Sequence, residues 1–166
     1  GSLAAIIKGT DNKTISKALN KIDVNKLYAV KNITADLANS MDWICRTNFK
    51  NAAMIADRFH VQQVVSEAVQ EIRIDLRRKA IDEENKQILE CRKQKLKYNP
   101  YRYFNGDTKK QLLARGRYIL FKPESKWTDS QKQRSVILFQ EFSELKKAYD
   151  LSMYFRNIFE NSKSKE

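Results

Sequence analysis

The chain has 166 residues, 42% hydrophobic and 31% charged, a balance that suits a folded soluble protein and excludes a disordered one. Lys and Arg outnumber Asp and Glu by 32 to 20, and the resulting +12 favours polyanionic partners, nucleic acid before acidic membrane surface. Two cysteines, Cys45 and Cys91, are too few and too far apart for a disulfide framework or a CxxC zinc site, which points to a reducing compartment.

Gly1-Ser2 reads as a scar of tag cleavage, which implies natural sequence upstream. No signal peptide is visible, and no apolar run approaches the roughly 18 residues of a membrane span. The first run, "LAAIIKG" (3–9), predicts a strand ending at Gly9. Asp11 then caps a helix whose Ile15, Ala18, Leu19 and Ile22 recur at helical spacing. "LYAVKNITAD" (27–36) predicts a second strand, and 37–49 a helix with Leu37, Met41, Ile44 and Cys45 on one face. "AAMIADRF" (52–59) is the third strand, with Phe59 expected in the core. Strands alternating with helices argue for βαβ units and a largely parallel sheet.

Beyond residue 60 the strand signal stops. Val61, Val65, Ala68, Ile72, Leu76 and Ala80 make an unbroken stripe, predicting a long helix that reaches about Lys97. "YNPYRYFNGD" is a turn, Asp107 is expected to cap the next helix, and Lys122-Pro123 ends that helix. Thr128 and Gln131 form a T-x-x-Q capping box for a helix over 129–142, Trp127 belongs to the core, and Ser143 caps the last helix. The expected organisation is therefore α/β followed by all-α, with the boundary between 1–60 and 61–166.

The strand ends carry the chemistry. In parallel α/β sheets ligands gather beyond the carboxyl ends of the strands. Asp36 ends the second strand and Asp57 the third, 21 residues apart, a sensible length for one crossover. If those strands are neighbours, both carboxylates project at one edge, where a hard cation such as Mg²⁺ or Mn²⁺ would relieve their repulsion. The competing reading is plain capping, since Asp36 precedes one helix while Asp57 and His60 begin another.

The run "VKNITADLANSMDWICRTNFKNAAMIADRFHVQQVVSEAVQEIR" resembles bacterial insertion-sequence transposases of the DDE type, most specifically at Asp36 and in "DRFHVQ" (57–62). "RRKAIDEENKQI", "NGDTKKQLLARGRYILFKP" and "KKAYDLSMYFRNIFENS" are similar to the helical part of the same proteins. The resemblance implies part of a ribonuclease-H-like sheet of about three strands with a long-helix insertion bundle. It also implies catalysis of DNA cleavage and strand transfer with Mg²⁺ (or Mn²⁺) in the full-length protein, within the bacterial cytoplasm. Asp36 matches the second acid of the catalytic triad and so a metal ligand, while Asp57 is an accessory residue near the site. For His60 two roles stay open, phosphate contact or helix capping. The first Asp and the Glu of the family pattern find no match here. This chain thus reads as an internal piece, starting at the third strand, that binds no metal by itself and does not cleave DNA. Its orphaned strands are expected to form a three-stranded parallel sheet or to pair with a second copy.

Most positive charge lies beyond residue 60. Arg73, Arg77, Arg78 and Lys79 cluster on the long helix, and Lys93, Lys95 and Lys97 precede Tyr98, Tyr101, Tyr103 and Phe104. Basic side chains interleaved with aromatics suit a DNA backbone with distorted bases, although the aromatics equally suit the closed tip of a helical hairpin. Two function classes follow: a DNA-strand-transferring enzyme, or a non-catalytic basic helical module for DNA binding or self-association. Neither needs a membrane or a small-molecule substrate.

Overall fold

The computed structural model describes residues 6–161. The chain divides into two compact units, Gly1–Val61 and Gln62–Glu166. Among the described residues there are seven α-helices and a short two-stranded parallel sheet.

In the first unit, Asp11 accepts a hydrogen bond from the Thr14 amide at 2.9 Å and opens α1 (Asn12–Leu19), as its spacing predicted. The next element departs from expectation. Asp23 accepts from the Asn25 amide and starts a short helix, α2 (Val24–Ala29), so the first part of the expected strand at 27–36 is helical. Of that stretch, β1 (Asn32–Ala35) is the part that forms a strand. Helix α3 (Asn39–Asn48) follows, and β2 (Ala53–Ala56) pairs with β1. The first expected strand, at 3–9, does not form over its described part: residues 6–9 belong to no strand, and 3–5 lie outside the described residues. Ile6 is largely exposed, and Gly9 turns the chain at φ 96°. An apolar run becomes a strand only where a neighbouring edge accepts its backbone groups. The sheet thus has two described strands, not three.

Packing here is thin. Leu27, Ile44 and Cys45 are buried, and Asn48 ties α3 to α1 by donating to Ser16 Oγ at 3.0 Å. Burial raises the Cys45 thiol pKa, with Asp42 adding to the effect. Val24, Tyr28, Leu37 and Trp43 stay substantially exposed. Phe59, expected in the core, is 72% exposed. Asp57 starts the following helix immediately after β2, so Phe59 is a first-turn helical residue rather than an inward strand residue.

Helix α4 (Arg58–Lys93) forms as predicted but stops short of Lys97, and its stripe differs by one position: Ala68 is exposed and Val69 is buried in its place, with Ile72 and Leu76 half-buried and Ala80 buried. Its end is a left-handed cap: Lys95 sits at φ 56°, Leu96 N–H donates to Cys91 O, and Lys95 N–H to Arg92 O. Helices α5 (Lys109–Leu120), α6 (Asp129–Glu141) and α7 (Ser143–Asn161) complete the second unit. Thr128 and Gln131 form the expected capping box. The cap of α5 is different: Thr108 takes that place, with Gln111 Oε1 accepting from its amide. Asp107, expected as the cap, is instead fully buried between Arg115 and Arg134. Ser143 is the first residue of α7 rather than its cap, and the Phe142 carbonyl accepts from the Leu145 and Lys146 amides.

One core unites these helices. Leu112, Leu113, Ile119, Leu120, Leu138 and Leu145 are completely enclosed, each contributing roughly 1.5–3 kcal/mol as an upper estimate. Trp127 is buried as expected, and its indole N–H reaches the Ile119 carbonyl at 3.0 Å. Helix α4 is fastened to α5 by Lys109–Glu83 at 2.8 Å and Lys110–Glu84 at 2.6 Å.

Candidate functional site

The site lies at the carboxyl ends of β1 and β2. Their parallel register pairs Ala35 with Ala56, so Asp36 and Asp57 are the next residues on adjacent strands. The Asp57 N–H donates to Ala35 O at 2.8 Å, carrying the ladder one step beyond the strands. Neighbouring strands lie about 4.8 Å apart, so the two aspartates leave the sheet side by side.

Their environments differ. Asp36 is half-buried, and its Oδ1 accepts from Ala38 N–H at 3.1 Å in a two-residue turn before α3. Ala38, not Asp36, occupies the N-cap position of α3. Asp57 has both oxygens engaged: Oδ1 accepts from Phe59 N–H at 3.0 Å, and Oδ2 lies 2.8 Å from His60 Nδ1. The Phe59 amide first, then the His60 contact, holds the Asp57 carboxyl below its usual pKa. Asp57 therefore caps α4, and His60 does not. His60 stands on the first turn of α4, with about half its side chain exposed. Arg58 lies over the exposed Phe59 ring at 5.2 Å.

This donor set suits Mg²⁺ only in part. Asp36 keeps a carboxylate oxygen that no hydrogen bond among the described residues occupies, and Mg²⁺ is commonly held by one or two carboxylates plus waters and substrate phosphates. Among the described residues there is no cluster of three or more His, Cys, Asp or Glu able to hold a metal ion.

The basic residues of the second unit divide by burial. Arg73 is buried; it donates to Gln70 Oε1 at 2.6 Å and to the Leu113 carbonyl at 3.1 Å, tying α4 to α5. Desolvation, then the nearby charges of Arg77 and Arg117, lowers its pKa. Arg77, Arg78, Lys79, Lys93, Lys95 and Lys97 are exposed. Arg117, on α5, adds to the positive field around Arg73, and sequence reasoning overlooked it. Nothing local in the sequence links a residue of α5 to one 44 positions earlier. The aromatics divide as well. Tyr103 donates its hydroxyl hydrogen to Glu141 at 3.0 Å, whereas Tyr101 and Phe104 are 75% and 78% exposed. No helix among the described residues is long and apolar enough to cross a membrane.

The model of a family described as "Transposase", the ISL3 group of DDE transposases, matches residues 1–166. No curated protein and no solved structure matches the chain.

Proposed function

The chain belongs to the ISL3 family of DDE transposases, and from that premise we propose that its first unit supplies part of a Mg²⁺-dependent site for DNA cleavage and strand transfer. A role in transposition, with DNA as the partner, comes with the family. The finer reading is that the two strands belong to a ribonuclease-H-like sheet and that Asp36 is the metal ligand. The single observation supporting it is the parallel register that sets Asp36 beside Asp57 at one sheet edge. Asp36 has an oxygen to offer, while Asp57, occupied twice, acts as the accessory residue that fixes the start of α4.

When bound, Mg²⁺ stabilises the charge developing on attacking and leaving oxygens of a phosphodiester. Asp36 would hold the ion, and the exposed Arg77, Arg78, Lys93, Lys95 and Lys97 of the second unit would neutralise DNA phosphates. A single carboxylate ligand does not assemble a two-ion site, so this chain alone is expected not to cleave DNA. The competing reading, a non-catalytic basic module, draws on the Asp36–Ala38 bond, which makes Asp36 a turn residue.

Mn²⁺ decides between them. Added at micromolar to millimolar concentration, it should broaden the NMR signals of residues 35–37, with Mg²⁺ competing and Asp36→Asn abolishing the effect. Broadening spread evenly over exposed carboxylates would remove the metal reading. Separately, duplex DNA binding should weaken steeply with salt, with the log–log slope falling by roughly one per phosphate-contacting Lys or Arg replaced.

A further inference from the structure

His60 is the chain's sole histidine, and the capping role open to it is taken by Asp57. Its ring is nonetheless held. Nδ1 lies 2.8 Å from Asp57 Oδ2, and an ionised carboxylate only accepts, so the proton of that bond sits on Nδ1. Nε2 is left on the other side of a half-exposed ring, with no hydrogen bond to it among the described residues. An oriented imidazole on Asp57, at the edge where parallel strands gather ligands, is not needed for helix α4 to form, because Asp57 already caps it.

We propose that His60, oriented by Asp57, binds a DNA phosphate through Nε2 and takes up a proton as it does so. The inference rests on the reading that DNA reaches this strand edge. The chemistry fixes its form. A phosphate oxygen is an acceptor, so Nε2 engages it only when it carries a hydrogen. With Nδ1–H already committed to Asp57, the bound ring is the imidazolium, donating to Asp57 on one side and to phosphate on the other. The proton comes from solvent, and no bond is made or broken in the DNA. The charged groups that meet at this ring are Asp57, in direct contact with it, and Arg58, whose charge together with that of His60 acts on the Asp57 carboxylate.

Because one histidine gives one set of ring signals, NMR reads the proposal without ambiguity. In the free chain the neutral ring should be the Nδ1–H tautomer. Saturating duplex DNA should shift the His60 ring signals and raise the pH at which they titrate. A rise of one unit corresponds to about tenfold weaker binding once the proton is lost, so affinity should fall by about that factor as pH rises through the shifted range. His60→Gln should bind DNA with a flatter pH profile. Asp57→Ser, which keeps a capping hydroxyl but is too short to orient the ring, should flatten it as well. Ring signals unmoved by saturating DNA, an Nε2–H tautomer, or an unchanged pH profile in His60→Gln would each overturn the proposal. If DNA binds with a steep salt slope and His60 does not respond, this inference fails while the DNA-binding reading stands. If no DNA binds at low salt, both fail.

Discussion

Asp107 offers the sharpest test of how the second unit is held together. Its carboxylate is completely buried, accepts from Arg134 Nε at 2.7 Å and from Arg115 Nη1, and also receives Asn105 Nδ2 at 3.0 Å. Asp107→Asn keeps the shape and removes the charge. The Arg134 side chain, 16% exposed, is then left with a neutral amide, whereas Arg115, 54% exposed, regains solvent easily. Breaking one side of a buried pair costs about 3–5 kcal/mol, while the exposed pair contributes under about 1 kcal/mol. A net loss of about 3 kcal/mol is a large share of the roughly 5–15 kcal/mol that stabilises a domain. With a urea m-value of about 1–3 kcal/mol/M, the midpoint should drop by about 1–3 M. Trp127 fluorescence reports the transition once Trp43, the other tryptophan, is replaced by Phe. Asp129→Asn is the control, since Asp129 is almost fully exposed and meets Lys132 only at 3.5 Å. A loss below about 1 kcal/mol for Asp107→Asn would refute the argument that the hub depends on a paired buried charge.

Lys95→Gly should stabilise the chain by about 0.5–1 kcal/mol in urea or thermal unfolding, because the left-handed cap of α4 strains any side chain at φ 56°. A Cβ on Gly116 would lie 3.0 Å from Leu138 Cδ2 in a fully buried core, so Gly116→Val should cost about 1–3 kcal/mol; a neutral result would mean that α5 and α6 can separate without penalty. Burial, ahead of the Glu124 and Asp150 charges, raises the Tyr149 pKa to about 12. Its phenol therefore contributes stability that is complete below the unfolded value near 10 and disappears as pH rises toward about 12, and Tyr149→Phe should flatten the alkaline unfolding curve across that window. Asp57 works in the opposite sense: its lowered pKa gives stability present above the ordinary carboxylate value of 3.8 and lost as pH falls through the folded value, so Asp57→Ala should remove that acid-side dependence in a pH-dependent melt.

What the sequence determined by itself was local. The Asp11 cap, the Thr128–Gln131 box and the apolar stripe of α4 all rest on groups three or four residues apart, which meet within one helical turn whatever surrounds them. The adjacency of Asp36 and Asp57 was nearly local, since a 21-residue spacing fits one crossover between parallel neighbours. Tertiary structure decided the rest. Apolar content at 27–30 read as strand, yet the Asp23 cap and burial of Leu27 favour a helix, and residues 6–9 found no edge to pair with. Arg73 reads like Arg77 and Arg78 in sequence, and only the approach of α5 turns it inward to the Leu113 carbonyl. Asp107 reads as a cap because aspartates so often are. Arg134, 27 residues later, makes it a buried ion instead. A side chain's neighbours along the helix are written in its spacing, but the cost of removing it from water depends on partners that only the folded chain brings near.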